Sequence, residues 1–142
     1  MQLTVRRAAP EDEASVVELW RAGDLVVSYN DPGADFRFAV AGACSAVLVG
    51  EDETGRICGS VMVGHDGHRG WLYYVAAAPD ARGVGIGRQM VQAAEDWLRQ
   101  RGVLKAQLMV RETNTKVVSF YERLGFEVAP RVVMGKWLRE PS

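Results

Sequence analysis

Two periodicities divide the chain. Residues 3–7 alternate apolar and polar, as a half-buried first strand does. Pro10 then stands at a favourable first helical position, and Glu11, Asp12 and Glu13 complement the positive end of the helix dipole. Val16, Val17, Leu19 and Trp20 supply an apolar face, and Gly23 is a stop signal. Residues 24–33 are polar and turn-rich. Within them Asp31-Pro32 opens a second predicted helix that carries Phe36, Phe38 and Val40 as far as Gly42.

From Ser45 the pattern becomes that of strands. Residues 46–49 are a continuous apolar run, residues 51–56 a solvated turn, and residues 57–63 the hairpin partner. A second turn, residues 65–70, leads into the aromatic and β-branched residues 71–75, a central strand. Helical spacing returns with Ile86, Met90, Ala93, Ala94, Trp97 and Leu98, and ends near Arg101-Gly102. Residues 105–110 read as another strand, residues 114–124 as a helix, and residues 132–138 as a final strand. The predicted order is β-α-α-β-β-β-α-β-α-β without repeats or linker, one α/β (α+β) layered domain over residues 1–142 around a mixed sheet.

Composition narrows the function classes. The 142 residues suffice for one domain with a substantial core, and the formal charge of -1 gives no global attraction to nucleic acid or to an anionic membrane. Cys44 and Cys58 have neither disulfide-framework nor metal-ligand spacing. Residues 1–7 lack the apolar core of a signal peptide, and no segment is apolar enough to span a bilayer. A reduced, cytoplasmic setting is expected.

Positive charge and glycine meet between the central strand and the following helix, at Arg82, Gly83, Val84, Gly85, Ile86, Gly87 and Arg88. Three glycines let backbone N–H groups face a ligand without an intervening Cβ. The first helical turn adds unpaired amides and a partial positive charge, and the two arginines add cations. The loop reads as a phosphate cradle. The competing reading is a glycine-rich turn into a surface helix. A Walker loop is excluded because no Lys-Ser or Lys-Thr follows, and the dinucleotide pattern fails because its third glycine falls on Arg88.

Arg82-x-x-Gly85-x-Gly87 resembles the acetyl-CoA loop of the GNAT superfamily of N-acetyltransferases. A second stretch, Asn114 through Tyr121 to Gly125-Phe126, resembles that family's downstream motif, and the two occur in the family's order. Asn114 also suits a helix cap, with Tyr121 two turns along the same face. Tyr29-Asn30-Asp31-Pro32, Asp66-Gly67-His68-Arg69-Gly70 and Tyr73-Tyr74 extend the likeness to the small bacterial YpeA-type acetyltransferases.

The resemblance implies the GNAT fold and acetyl transfer from acetyl-CoA to an amine. The loop amides would hold the pyrophosphate, a backbone N–H near Tyr74 or Val75 the thioester oxygen, and Asn114 the CoA or its own helix. Tyr121 matches the family's general acid. The family's usual glutamate base is missing from the central strand, since residues 73–76 are Tyr-Tyr-Val-Ala. His65, Asp66, His68, Tyr73, Tyr74 and water stay open for that role, and Asp31 for recognition of a cationic acceptor. An acetyl-CoA-dependent enzyme is the expected class; a non-catalytic acyl-CoA sensor is the alternative. The expected partners are acetyl-CoA and an amine, with a homodimer left open and no metal.

Overall fold

The computed structural model describes residues 2–81 and 84–140. They fall into two compact units, Met1–Leu108 and Met109–Ser142. The first holds a five-stranded sheet in the order β1-β2-β3-β4-β5: β1 (Thr4–Arg7), β2 (Ser45–Glu51), β3 (Ile57–His65), β4 (Gly70–Ala77) and β5 (Ala106–Gln107). The first four pair antiparallel, and β5 joins β4 in parallel. A 3-10 turn at Pro10–Asp12 precedes helix α1 (Glu13–Ala22), then α2 (Pro32–Ala41) and the long α3 (Ile86–Gln100).

Strand alternation decides what each sheet face receives. Gly59 and Ser60 are neighbours on β3 and so point to opposite faces. A Cβ on Gly59 would lie 2.6 Å from Ile86 Cγ2 and 3.0 Å from Met90 Cγ, so the missing side chain is what lets the start of α3 approach the sheet. Gly70 makes the same allowance for Leu98 near the other end of α3. On the opposite face, fully buried Ser60 accepts a 2.9 Å hydrogen bond from the Trp20 indole N–H of α1. Val16, Trp20 and Phe36 are inaccessible on that side, and Met90, Val91 and Ala94 on the other.

Local signals place the helices as expected. Asp31 caps α2 by accepting the Ala34 N–H at 3.1 Å. Gly23 closes α1. Phe36 and Ala39 face inward on α2, and Phe38 is exposed.

The second unit contains α4 (Thr115–Arg123), with Gly125 at φ +95° just beyond it. Two expected strands are corrected. That of residues 105–110 shrinks to Ala106–Gln107. Residues 132–138 form no strand: they make no ladder, and Val132, Met134 and Leu138 are about nine-tenths exposed. β-type residues favour a strand only where a partner ladder and an apolar face receive them, and Gly135 interrupts the run.

Candidate active site

The turn into α3 begins at Gly85, which adopts φ +78°, a left-handed conformation that suits glycine. Among the described residues no side chain caps the helix there, so its first amides keep the donors and partial positive charge of an α-helix N-terminus. A Cβ built on Gly85 would meet nothing within 4 Å. Among the described residues, the direction a Gly85 side chain would take is open. Val84, Gly85 and Arg88 are exposed, Gly87 is half-buried, and Ile86 turns inward against Gly59. Arg82 and Gly83, assigned to the same cradle, lie outside the described residues.

The second feature is a break in the β3–β4 ladder. Met62 pairs with Tyr73 and Ser60 with Ala76, so Tyr74 and Val75 together oppose Val61. This β-bulge puts Tyr74 at φ +52°, a conformation rare for a bulky residue and one that costs energy unless its surroundings hold it. Three contacts do so. The Tyr74 ring stacks on Trp20, with centroids 4.0 Å apart and planes 8° from parallel. Its hydroxyl donates to Asp35 Oδ2 at 2.7 Å, and Asn30 also hydrogen-bonds that hydroxyl. Burial, followed by Asp35, pushes the Tyr74 phenol above its ordinary pKa, so it stays protonated.

β5 pairs with β4 only at Gly70 and Trp71. Beyond Trp71, β4 runs on through the bulge without a described β5 partner. An extended ligand can therefore lie along this edge as an added strand would, with main-chain groups near Tyr74 and Val75 at hand.

The turn offered as a source of the base stands elsewhere. His65 pairs with Gly70, four residues before Tyr74, so at about 3.3 Å per residue the turn starts roughly 13 Å from the bulge. Asp66 is engaged within that turn, where it accepts the Arg69 and His68 amides at 2.7 and 2.8 Å. Those bonds hold its carboxyl below the ordinary range, which weakens it as a base. Asp31 is occupied in capping α2. The carboxylate that meets the Tyr74 hydroxyl is Asp35, which sequence reasoning missed. No motif marks it, because only the packing of α2 brings it to β4.

In the second unit, Asn114 occupies the N-cap position of α4, but its side chain makes no capping bond. Its carbonyl instead accepts the Val118 amide at 3.2 Å. The expected side-chain cap is thus not formed, and the amide group is left for another partner. Tyr121 sits edge-on to both Phe120 and Phe126. Burial pushes its phenol up to about 12.

Among the described residues no His, Cys, Asp and Glu side chains cluster as a metal site, and no helix is long and apolar enough to cross a membrane. The acetyltransferase (GNAT) family model matches residues 14–126. An acetyltransferase of Pectobacterium atrosepticum is 39% identical over 138 residues, 97% of either chain. The crystal structure of a Trypanosoma brucei acetyltransferase is 26% identical with a TM-score of 0.72, covering 96% of this chain and all of that one. AAC(6')-Iy in complex with the bisubstrate analogue CoA-S-monomethyl-acetylneamine shares the fold at a TM-score of 0.81 and 17% identity, over 96% of this chain and 99% of the other.

Proposed function

The chain belongs to the acetyltransferase (GNAT) family, and from that premise we propose that it is an N-acetyltransferase moving acetyl from acetyl-CoA to a primary amine. The observation that carries this reading is the bulge at Tyr74 and Val75, where β4 leaves its ladder and β5 no longer accompanies it. It offers main-chain donors to an acyl oxygen, beside an open helix terminus suited to a diphosphate.

In the proposed reaction an acceptor that arrives as ammonium first gives a proton to water, and its nitrogen then bonds to the acetyl carbon. The carbon–sulfur bond breaks, the sulfur leaves with the Tyr121 proton, and the second proton shed by the nitrogen returns through water to the Tyr121 phenolate. Val84, Gly85, Ile86, Gly87 and Arg88, with Arg82 and Gly83, hold the diphosphate. The backbone at Tyr74 and Val75 holds the acyl oxygen, and Asn114 contacts the CoA. Tyr121 gives the sulfur its proton. Its phenol is fully protonated at neutral pH, and since a thiol's pKa is about 8.5 its help is moderate.

We also take residues 1–142 as one acetyltransferase domain, since the family match runs across the boundary between the two units. The finer likeness to YpeA-type enzymes rests on Tyr29-Asn30-Asp31-Pro32, Asp66-Gly67-His68-Arg69-Gly70 and Tyr73-Tyr74. A cytoplasmic setting completes the proposal. A non-catalytic sensor drew its support from the lack of a carboxylate on β4. Asp35 brings a carboxylate from α2 to the Tyr74 hydroxyl, and the family itself favours the enzyme.

Thiol release from acetyl-CoA, screened against alkylamines, amino acids and peptides, tests the reading. Stimulation by an amine, with an acetylated product of matching mass, is expected. Acetyl-CoA binding without stimulation by any acceptor would return the chain to the sensor class.

A further inference from the structure

Asp35 has more to offer than its bond to Tyr74. The carboxylate is half-buried, and among the described residues no cation pairs with it. Neighbouring acids are already engaged: Glu13 pairs with Arg37 at 2.7 Å, and Asp31 caps α2. Tyr74 has a single proton to give, and it goes to Oδ2, so Oδ1 remains for another donor. A partly desolvated carboxylate without a counter-charge is costly, and an arriving cation relieves that cost. The residue that anchors it is itself held in strained backbone by the Trp20 stack, at the point where the acyl group is to react.

We propose that Asp35 is the acceptor-specificity residue, its carboxylate receiving the ammonium group of a cationic amine beside the β4 bulge. The proposal rests on the amine-acetylation reading and names its substrate class: amines that arrive positively charged. An ammonium group carries three donors, one of which suits Oδ1. Charge-assisted bonds of this kind are about twice as strong as neutral ones, so they discriminate a charged acceptor from a neutral one. A purely anchoring role is the competing account. There Asp35 serves only as the partner of the Tyr74 hydroxyl, and any acceptor of similar shape serves equally well.

Asp35→Asn separates the two, because an asparagine oxygen can still accept from Tyr74 but carries no charge. The measurement is kcat/KM at saturating acetyl-CoA and pH 7 with two acceptors, an alkylamine that is charged there and an arylamine that is not. A loss of at least thirtyfold for the alkylamine, against less than threefold for the arylamine, is expected, with Kd for acetyl-CoA within twofold of wild type. Equal losses for both acceptors, or no loss for either, would overturn the proposal while leaving the enzyme reading in place. Wild-type protein that acetylates neither acceptor nor any other amine would remove both. If Asp35→Asn does not fold, Tyr74→Phe decides: it keeps the carboxylate and removes the anchoring bond. Retained preference for the alkylamine supports charge recognition, and its disappearance overturns it.

Discussion

Trp20 lies flat against Tyr74, and the same indole donates to Ser60 on the strand facing the bulge. One side chain of α1 therefore ties together both strands that the bulge separates. Trp20→Phe keeps an aromatic ring near Tyr74 but withdraws the donor from a fully buried hydroxyl and leaves a small void. A loss of about 2–4 kcal/mol in denaturant unfolding is expected, from the orphaned polar group and the cavity together. Turnover of the folded fraction should fall as well, since the strained Tyr74 loses part of its support. A loss below about 0.5 kcal/mol would mean that other packing holds the bulge.

Gly59 sets how closely α3 approaches the sheet. Its virtual Cβ already overlaps Ile86, whose β-branched side chain cannot swing away freely. Gly59→Val should cost about 1–3 kcal/mol, the usual range for overpacking. It should also weaken CoA binding, because Ile86 opens the helix whose first amides are the proposed cradle. Thermal unfolding and calorimetric titration on one preparation check both effects. Lost stability with unchanged affinity would detach the cradle from the α3 terminus.

Gly85 poses the opposite case, a position with space but with an unfavourable backbone for other residues. Gly85→Ala meets no neighbouring atom and carries only the left-handed strain, about 1–2 kcal/mol. Gly85→Asp carries the same strain plus an anion in front of the helix terminus. Kd for CoA should rise at least tenfold further in the aspartate variant than in the alanine one. Equal affinities in the two variants would mean that no phosphate lies there.

Much of this arrangement was legible in the sequence because it rests on local chemistry. Asp31-Pro32 starts α2, Gly23 ends α1, and the glycine loop sits between a strand and a long amphipathic helix, each fixed by neighbours along the chain. What stayed hidden depends on partners distant in sequence. The positive φ of Tyr74 follows from a ladder mismatch with β3, and its hydroxyl meets an aspartate 39 residues earlier. Residues 132–138 misled for the same reason, because a strand-like composition does not supply a strand's partner.

Acid stability has a specific origin at the β1–α1 junction. Asp12 accepts Arg6 Nη1 at 2.7 Å and the Ala9 amide at 2.7 Å, and Arg6 also reaches Glu51 at 2.8 Å. The Arg6 bond, ahead of the Ala9 amide, holds the Asp12 carboxyl below its ordinary range. A depressed pKa in the folded state stabilises above the unfolded value of about 3.9, and that stability is lost as pH falls through the folded value. Asp12→Asn should therefore lower Tm at pH 6, and the gap should begin to narrow near pH 4 and close only below the depressed folded value. A constant offset between the two across that range would mean that Asp12 acts through packing rather than charge.

Tyr121 is the residue on which the proposed proton delivery to sulfur stands or falls. Its ring is held edge-on between Phe120 and Phe126, contacts that a phenylalanine at the same position also makes. Tyr121→Phe should therefore leave stability within about 1 kcal/mol of wild type, the scale of one hydrogen bond. With its pKa pushed up to about 12, the phenol is protonated at every working pH, so the acid itself contributes no basic limb to the rate profile below pH 11. Single-turnover acetyl transfer should slow by about two orders of magnitude, the lower end for a positioned acid, because a thiolate is already a fair leaving group. Kd for acetyl-CoA should stay nearly constant. An acyl donor whose thiol is more acidic than that of CoA needs less protonation, so the variant's deficit should shrink with such a donor. A deficit of the same size for both donors would mean that the hydroxyl positions the substrate instead, and an undiminished rate with acetyl-CoA would leave the sulfur to be protonated by water.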